Sequence, residues 1–187
     1  MGMSLFLNSI KDSDIESLIQ NPILIEILEC EEINTFHINT ELKYGIKYED
    51  VPRYSNWRPK EKVETLNIEG AFISLDYLLT GRGEIRCYFP FNFLTTNYRV
   101  ITNMFAGPVN AFYAREVLEI ARALQGIDQS VLIKEYDVSH YNEKKVYPRG
   151  YIWKEEDVDE MLEQLKSIIG FLMNASNDNK GIYTVIS

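Results

Sequence analysis

The 187-residue sequence predicts an α+β fold: a single helix-rich domain around a small mixed β-sheet that includes the N-terminal and C-terminal strands. Two short apolar runs, at residues 4–8 and 182–186, have the length and composition of buried strands. Between them, apolar side chains recur every three or four positions in several segments, as in amphipathic helices. A chain of this length can bury a core as one unit, so we expect residues 1–187 to form one domain.

Capping signals predict the first two helices. The first helix should follow the strand at 4–8, because Ser13 and Glu16 have the spacing of a capping box. The second should begin at Asn21-Pro22, since Asn is a good N-cap and Pro suits the first helical position.

The middle of the chain alternates helical and extended patterns. Residues 67–79 have apolar side chains at helical spacing, and Gly81 is a suitable C-terminal cap, so a buried helix is predicted there. Residues 85–93 contain Pro90 and are predicted to be a loop or an edge strand. A strand is expected at 100–105.

The last third is predicted to be mostly helical. We expect a long helix at 109–124, a short helix capped by Asp128 and a second short helix at 138–144. The acidic run at 155–157 should begin the final helix, where carboxylates favour the helix dipole. The closing strand is predicted at 182–186.

Charge and cysteine content limit the classes of partner and the compartment. The net charge of −9 is unfavourable for nucleic acid and for anionic membranes, because phosphate binding needs a basic surface. Two distant cysteines, Cys30 and Cys87, are too few for a disulfide scaffold and are expected to be buried or half-buried thiols. With neither a signal peptide nor a membrane-length apolar run in the sequence, we expect a cytoplasmic protein.

Residues 40–64, which we call the basic-aromatic segment, have a composition unlike the rest of the chain. Residues 43–62 contain six basic and three acidic residues, interleaved with Tyr and Trp. Arg, Tyr and Trp dominate the energetics of protein interfaces, so this segment, expected to be a long loop or a weak hairpin, is predicted to contact a partner. The alternative interpretation is that the aromatic rings of the segment pack onto the rest of the protein and its charged side chains stay in water. The predicted contact residues are Arg53, Tyr54, Trp57 and Arg58.

A ligand pocket is the second hypothesis for a site. Asp76 lies in an otherwise apolar helical segment, where burial would raise its pKa and allow acid–base chemistry. The aromatic run at 88–93 could line such a pocket, with Asp76, Tyr77 and Arg99 as its polar groups. The other interpretation of Asp76 is an exposed or hydrogen-bonded carboxylate on the helix surface.

Motifs for catalysis or metal binding are missing from the sequence. The two histidines, His37 and His140, lie in no nucleophile–base pattern, and there is no HExxH, CxxC or EF-hand motif. We therefore predict no catalytic residue, no metal and no cofactor. Enzymatic activity is left open by the sequence, with a non-catalytic role favoured.

Several segments, in their order and spacing, resemble the YfbM-like family, a bacterial domain of unknown function. They are the opening Met1-Gly2-Met3, Leu66-Asn67-Ile68-Glu69, Leu78-Leu79-Thr80-Gly81, Val146-Tyr147-Pro148 and the final strand. The resemblance covers nearly the whole chain and implies a cytoplasmic α+β domain without an established activity, cofactor or catalytic residue. The family often has a Trp followed four residues later by a His, where this chain has Phe72 and Asp76. A site built on that imidazole in relatives would be lost here.

The leading functional hypothesis is a non-catalytic protein that binds another protein in an immunity-like or regulatory role. An acidic surface attracts a basic partner by electrostatic steering, so a basic protein is the expected partner. The alternative is a small-molecule-binding protein or enzyme that uses the Asp76, Tyr77 and Arg99 pocket. The oligomeric state is left open by the sequence.

Overall fold

The computed structural model describes residues 3–29, 43–50, 52–70, 72–82, 84–104 and 107–187. The strands are β1 (Ser4–Lys11), β2 (Glu64–Glu69), β3 (Val100–Met104), β4 (Gly107–Phe112) and β5 (Lys180–Ile186). The helices are α1 (Asp12–Gln20), α2 (Ile23–Glu29), α3 (Pro52–Ser55), α4 (Phe72–Leu79), α5 (Ala114–Gln125), α6 (Gln129–Glu135), α7 (Val138–Lys144) and α8 (Asp157–Asn177). A short 3₁₀ turn spans Tyr48–Asp50.

The five strands form one sheet in the order β2-β1-β5-β4-β3. The α+β class and the presence of both terminal strands in the sheet are confirmed. The sheet was expected to be mixed, but every described pairing is antiparallel. Leu5 lies between Ile68 of β2 and Ile186 of β5, so β1 and β5 join the two ends of the chain at the centre of the sheet.

Successive side chains of a strand point to opposite faces of the sheet, and here both faces contain apolar side chains. Helices therefore cover both faces. Leu5 and Leu7 pack in the larger core with α4 to α8. Phe6, Ile10 and Tyr183 pack on the other face with α1 and α2. The larger core contains most of the buried aromatic and aliphatic side chains, and it supports the site described below.

Two predicted helices and one predicted cap differ from the structure. Residues 67–79 contain the end of β2 as well as α4, and Gly70 turns the chain between them at φ +62°. The helix predicted at 109–124 begins only at Ala114, because Gly107–Phe112 pairs with β5 as β4. Sheet pairing therefore overrides the local helical spacing at both places. The Ser13–Glu16 capping box is also absent, since α1 begins at Asp12.

Helix α8 places the acidic residues that form the site. Its buried side packs on α5 and on the sheet through residues that include Met161, Leu165 and Ile168. Its first turn contains Asp157, Asp159 and Glu160, and these carboxylates are favoured by the positive end of the helix dipole. Because α8 also contacts β2, its acidic side lies beside an edge of the sheet.

Candidate functional site

Two adjoining cavities lie between β2 and α8, one of about 270 Å³ and one of about 460 Å³. Glu69 and Glu160 line both, so the cavities form one continuous depression, which we call the acidic groove. Its lining comprises Leu66, Asn67, Ile68, Glu69, Gly70, Pro148, Tyr151, Trp153, Asp157, Glu160, Met161, Glu163, Gln164 and Ser167.

The carboxylates of the groove are only partly neutralised. Among the described residues, no lysine or arginine lines it. Within that part of the chain, the side-chain carboxylates of Glu69 and Glu160 have neither an ion pair nor a hydrogen bond. The carboxylate of Glu163 pairs with the Lys166 ammonium at 2.6 Å. Asp157 accepts hydrogen bonds from the Tyr151 hydroxyl at 2.9 Å and from the backbone N–H of Lys154 at 2.7 Å. The groove therefore presents negative charge that a cation can neutralise.

Trp153 forms a rigid aromatic base for one end of the groove. Its side chain is only 4% exposed, and its indole N–H donates to the backbone carbonyl of Val146 at 3.0 Å. The Asn142 side chain holds the backbone of Trp153, accepting from its N–H at 2.8 Å and donating to its carbonyl at 3.0 Å. Tyr141 and Tyr151 contact the indole edge to face, with ring centroids 5.3 and 5.0 Å away.

The combination of aromatic rings and carboxylates suits a cationic side chain. A lysine or arginine gains from the electron-rich face of an aromatic ring and from a nearby carboxylate at once. Tyr151 lines the groove and is exposed, and the next residue, Ile152, is 74% exposed and lines a neighbouring cavity that shares Tyr151. Exposed aromatic area beside charged groups is common in surfaces that contact another macromolecule.

The basic-aromatic segment places its four predicted contact residues in two different environments. Arg53 is exposed and pairs with Asp50 at 3.0 Å, and Arg58 donates to the backbone carbonyls of Ser55 and Trp57. Tyr54 and Trp57 are half-buried and pack against the core formed with α1 and α2. The rings thus fold back onto the domain, as in the alternative interpretation, while contact of these residues with a partner stays a prediction. Residues 40–42 and 51 of the segment lie outside the described residues.

Asp76 is the predicted pocket residue with the most unusual environment. The Thr95 hydroxyl donates to one of its carboxylate oxygens at 2.7 Å, and the other oxygen, also buried, has no hydrogen-bond partner among the described residues. Burial raises the pKa of Asp76 to about 6, and the Thr95 hydrogen bond opposes this shift. The carboxyl group therefore titrates near neutral pH.

Tyr77 and Arg99 have other partners. The Tyr77 hydroxyl lies 2.8 Å from His140 Nε2, and its ring packs edge to face on Tyr141. Arg99 forms two hydrogen bonds with Glu116, at 2.6 and 2.9 Å. Its guanidinium also lies over the rings of Tyr98 and Tyr113, and these contacts form no direct link with Asp76. The side chains of the three predicted pocket residues lie in three networks that share no described side-chain partner, although the Thr80 hydroxyl donates to the backbone carbonyls of both Asp76 and Tyr77.

The remaining reactive side chains are dispersed. In the described ranges, no three His, Cys, Asp or Glu side chains are grouped so as to hold a metal ion. Cys87 is a free, exposed thiol, which corrects the expectation that it would be buried or half-buried. Cys30 and His37 lie outside the described residues. No helix in the described part of the chain combines the length and apolar character needed to cross a bilayer.

Comparison with known proteins identifies the family of the chain. The sequence profile of a family described as domain of unknown function (DUF1877) matches residues 1–185. The crystal structure of YfbM from Escherichia coli, a protein of unknown function, is similar with a TM-score of 0.67 and 15% identity, over 98% of this chain and 99% of that one. A comparison with curated proteins finds no significant match. The similarity to YfbM, at this identity, shows the fold, and the matched profile shows that the chain belongs to the DUF1877 family.

Proposed function

We propose that this protein is a non-catalytic cytoplasmic interaction protein that binds a basic partner protein in the acidic groove. The observation that carries the proposal is the pair of carboxylates without described partners, Glu69 and Glu160, beside the aromatic rings of Trp153 and Tyr151. A regulatory or immunity-like role would follow if the bound basic surface contained the active site of the partner.

Cation binding by this groove is supported by its charge and by that of the whole chain. Carboxylates that have no partner in the free protein gain a charge-assisted hydrogen bond when a lysine or arginine enters. The net charge of −9 accelerates the approach of a basic protein and repels nucleic acid. The association rate should therefore fall as the salt concentration rises.

A protein partner fits the groove better than a free metal ion. The lining carboxylates come from β2 and from successive turns of α8, and they form no described cluster with metal-binding geometry. The exposed Tyr151 of the groove and the adjacent residue Ile152, also exposed, supply apolar contact area, which a simple cation cannot use. A basic segment with flanking apolar residues would use both features.

Hexaarginine labelled with fluorescein is the probe that tests this proposal, with binding followed by fluorescence anisotropy. The combined variant Glu69→Gln and Glu160→Gln should bind at least about tenfold more weakly than the wild-type protein, because two charge-assisted contacts are lost. The matched control, Glu84→Gln with Glu143→Gln, changes the net charge equally at two exposed positions outside the groove lining. It should change the dissociation constant less than about twofold, since surface charges contribute little individually. Equal losses in both variants would show diffuse attraction and overturn the proposal.

The alternative, a small-molecule-binding protein or enzyme using Asp76, Tyr77 and Arg99, is favoured by one observation. Asp76 is a partly buried carboxyl group with one buried oxygen unpartnered among the described residues and a pKa raised to about 6, which is suitable for proton transfer. Native mass spectrometry of protein purified from its host should then detect a bound small molecule that the Asp76→Asn variant lacks.

A further inference from the structure

Strand β2 is an edge of the sheet, and one side of its backbone points away from β1. The N–H of Gly70 donates to the carbonyl of Met3 at 3.1 Å, so the backbone groups of Gly70 point inward, towards the β1 side. Inward and outward residues alternate along an antiparallel strand, so Leu66 and Ile68 also bond to β1. The outward N–H and C=O groups are those of Thr65, Asn67 and Glu69. None of the three has a backbone partner on that side in the described part of the chain.

The acidic groove follows this unpaired backbone. The part of about 460 Å³ has residues 66–69 as one wall and Glu160, Glu163, Gln164 and Ser167 of α8 as the other. A strand added to a sheet lies about 4.8 Å from its neighbour. A chain at that spacing from β2 would run along the groove, with alternate side chains directed towards the carboxylates of α8.

We propose that the β2 edge binds an extended basic segment of the partner protein as a sixth strand of the sheet. This inference rests on the proposed function and specifies its partner. Main-chain hydrogen bonds to residues 65, 67 and 69 supply affinity, and the acidic groove selects the side chains. Because Leu66 and Ile68 face the core under α8, partner residues on the same face meet Glu160 and Glu163. The segment therefore has Lys or Arg at every second position.

Charge argues against a second copy of this chain as the occupant. Strand β2 contains Glu64 and Glu69 and no basic residue, so a second copy of it on this edge would bring two more carboxylates to the acidic wall of α8. Like charges repel, so this wall disfavours an acidic strand and selects a basic one.

Two octapeptides of identical composition test the strand addition by fluorescence anisotropy. One alternates lysine with threonine, and the other has four lysines followed by four threonines. The alternating peptide should bind at least about fivefold more tightly, because all its lysines reach the α8 face when its backbone pairs with β2. Methylating the backbone N–H groups that face β2 should abolish this advantage, whereas methylating the alternate set should preserve it.

Asn67 provides the matched protein variants. Asn67→Pro removes an outward N–H without removing a bond to β1, and proline is tolerated on edge strands. It should weaken binding of the alternating peptide at least about fivefold, while Asn67→Ala, which keeps the N–H, should change it less than about twofold. The methylated peptides decide the question if Asn67→Pro does not fold.

The two proposals fail in different ways. Strand addition is overturned if both octapeptides bind the wild-type protein equally and Asn67→Pro binds the alternating peptide normally. If the combined variant Glu69→Gln and Glu160→Gln then weakens the binding of both octapeptides, the proposal of a cation-binding groove stands without strand addition. Both proposals are overturned if neither basic peptide nor hexaarginine binds.

Discussion

The acidic groove and the basic-aromatic segment differ in how the fold uses their polar and aromatic groups. In the segment, Arg53 pairs with Asp50, Arg58 bonds to the backbone and the ring of Trp57 packs on the core. In the groove, Glu69 and Glu160 have no such partners among the described residues. Arg, Tyr and Trp residues, although common in interfaces, can thus be occupied by contacts within their own chain. Charged side chains without intramolecular partners are the better indication of a binding partner.

The two tryptophans give the largest expected difference between these surfaces. Trp153→Ala removes a fully packed indole with edge-to-face contacts and a hydrogen bond, so it should lower the free energy of unfolding by about 3–5 kcal/mol. Trp57→Ala removes a half-buried ring and should cost about half as much or less. Urea denaturation measures both. Equal losses would mean that the segment is as tightly integrated into the domain as the base of the groove.

Asp76 differs from the unpaired groove carboxylates in its exposure, because one of its oxygens is buried whereas Glu69 and Glu160 are exposed. The pKa of about 6 in the folded protein exceeds the ordinary 3.8, so the folded state binds more protons than the unfolded chain between these values. The contribution of Asp76 to the free energy of unfolding therefore falls as pH rises from about 4 to about 6 and stays low above that range.

Asp76→Asn should remove this fall while keeping an acceptor for Thr95. At pH 7 the variant should be more stable than the wild-type protein by up to roughly 3 kcal/mol, and near pH 4 the two should be almost equal. Urea denaturation across this pH range measures the difference. A difference that is independent of pH would contradict the raised pKa of Asp76.

The elements that the sequence predicts well are those with an unambiguous period or cap. The terminal strands and the helices after Asp128 and at 138–144 lie where apolar spacing and capping residues agree. The errors at 67–79 and 109–124 arise where a strand directly precedes a helix, so that both periods are present in one window. The alternation of polar and apolar residues in Glu64–Glu69 is a signal for β2 that a helical interpretation overlooks.

The candidate site was less predictable than the fold. The groove brings Glu69 together with residues 151–163, which are far away in sequence. Carboxylates at the start of α8 look like ordinary favourable charges at a helix N-terminus. Only the position of β2 at the sheet edge, which depends on pairing with β1, makes Glu69 line the same groove as the carboxylates of α8. Arg53, Tyr54, Trp57 and Arg58 stand out by composition alone and stay a predicted contact.

The most direct test uses the fact that the chain contains two tryptophans, one in each surface. Their indole N–H resonances can be followed in proton–nitrogen correlation spectra during titration with hexaarginine, and Trp57→Phe assigns them. If the acidic groove binds the peptide, the Trp153 resonance should shift with saturation while that of Trp57 stays in place. A saturable shift of Trp57 alone would contradict binding in the groove and would locate the cation-binding surface in the basic-aromatic segment.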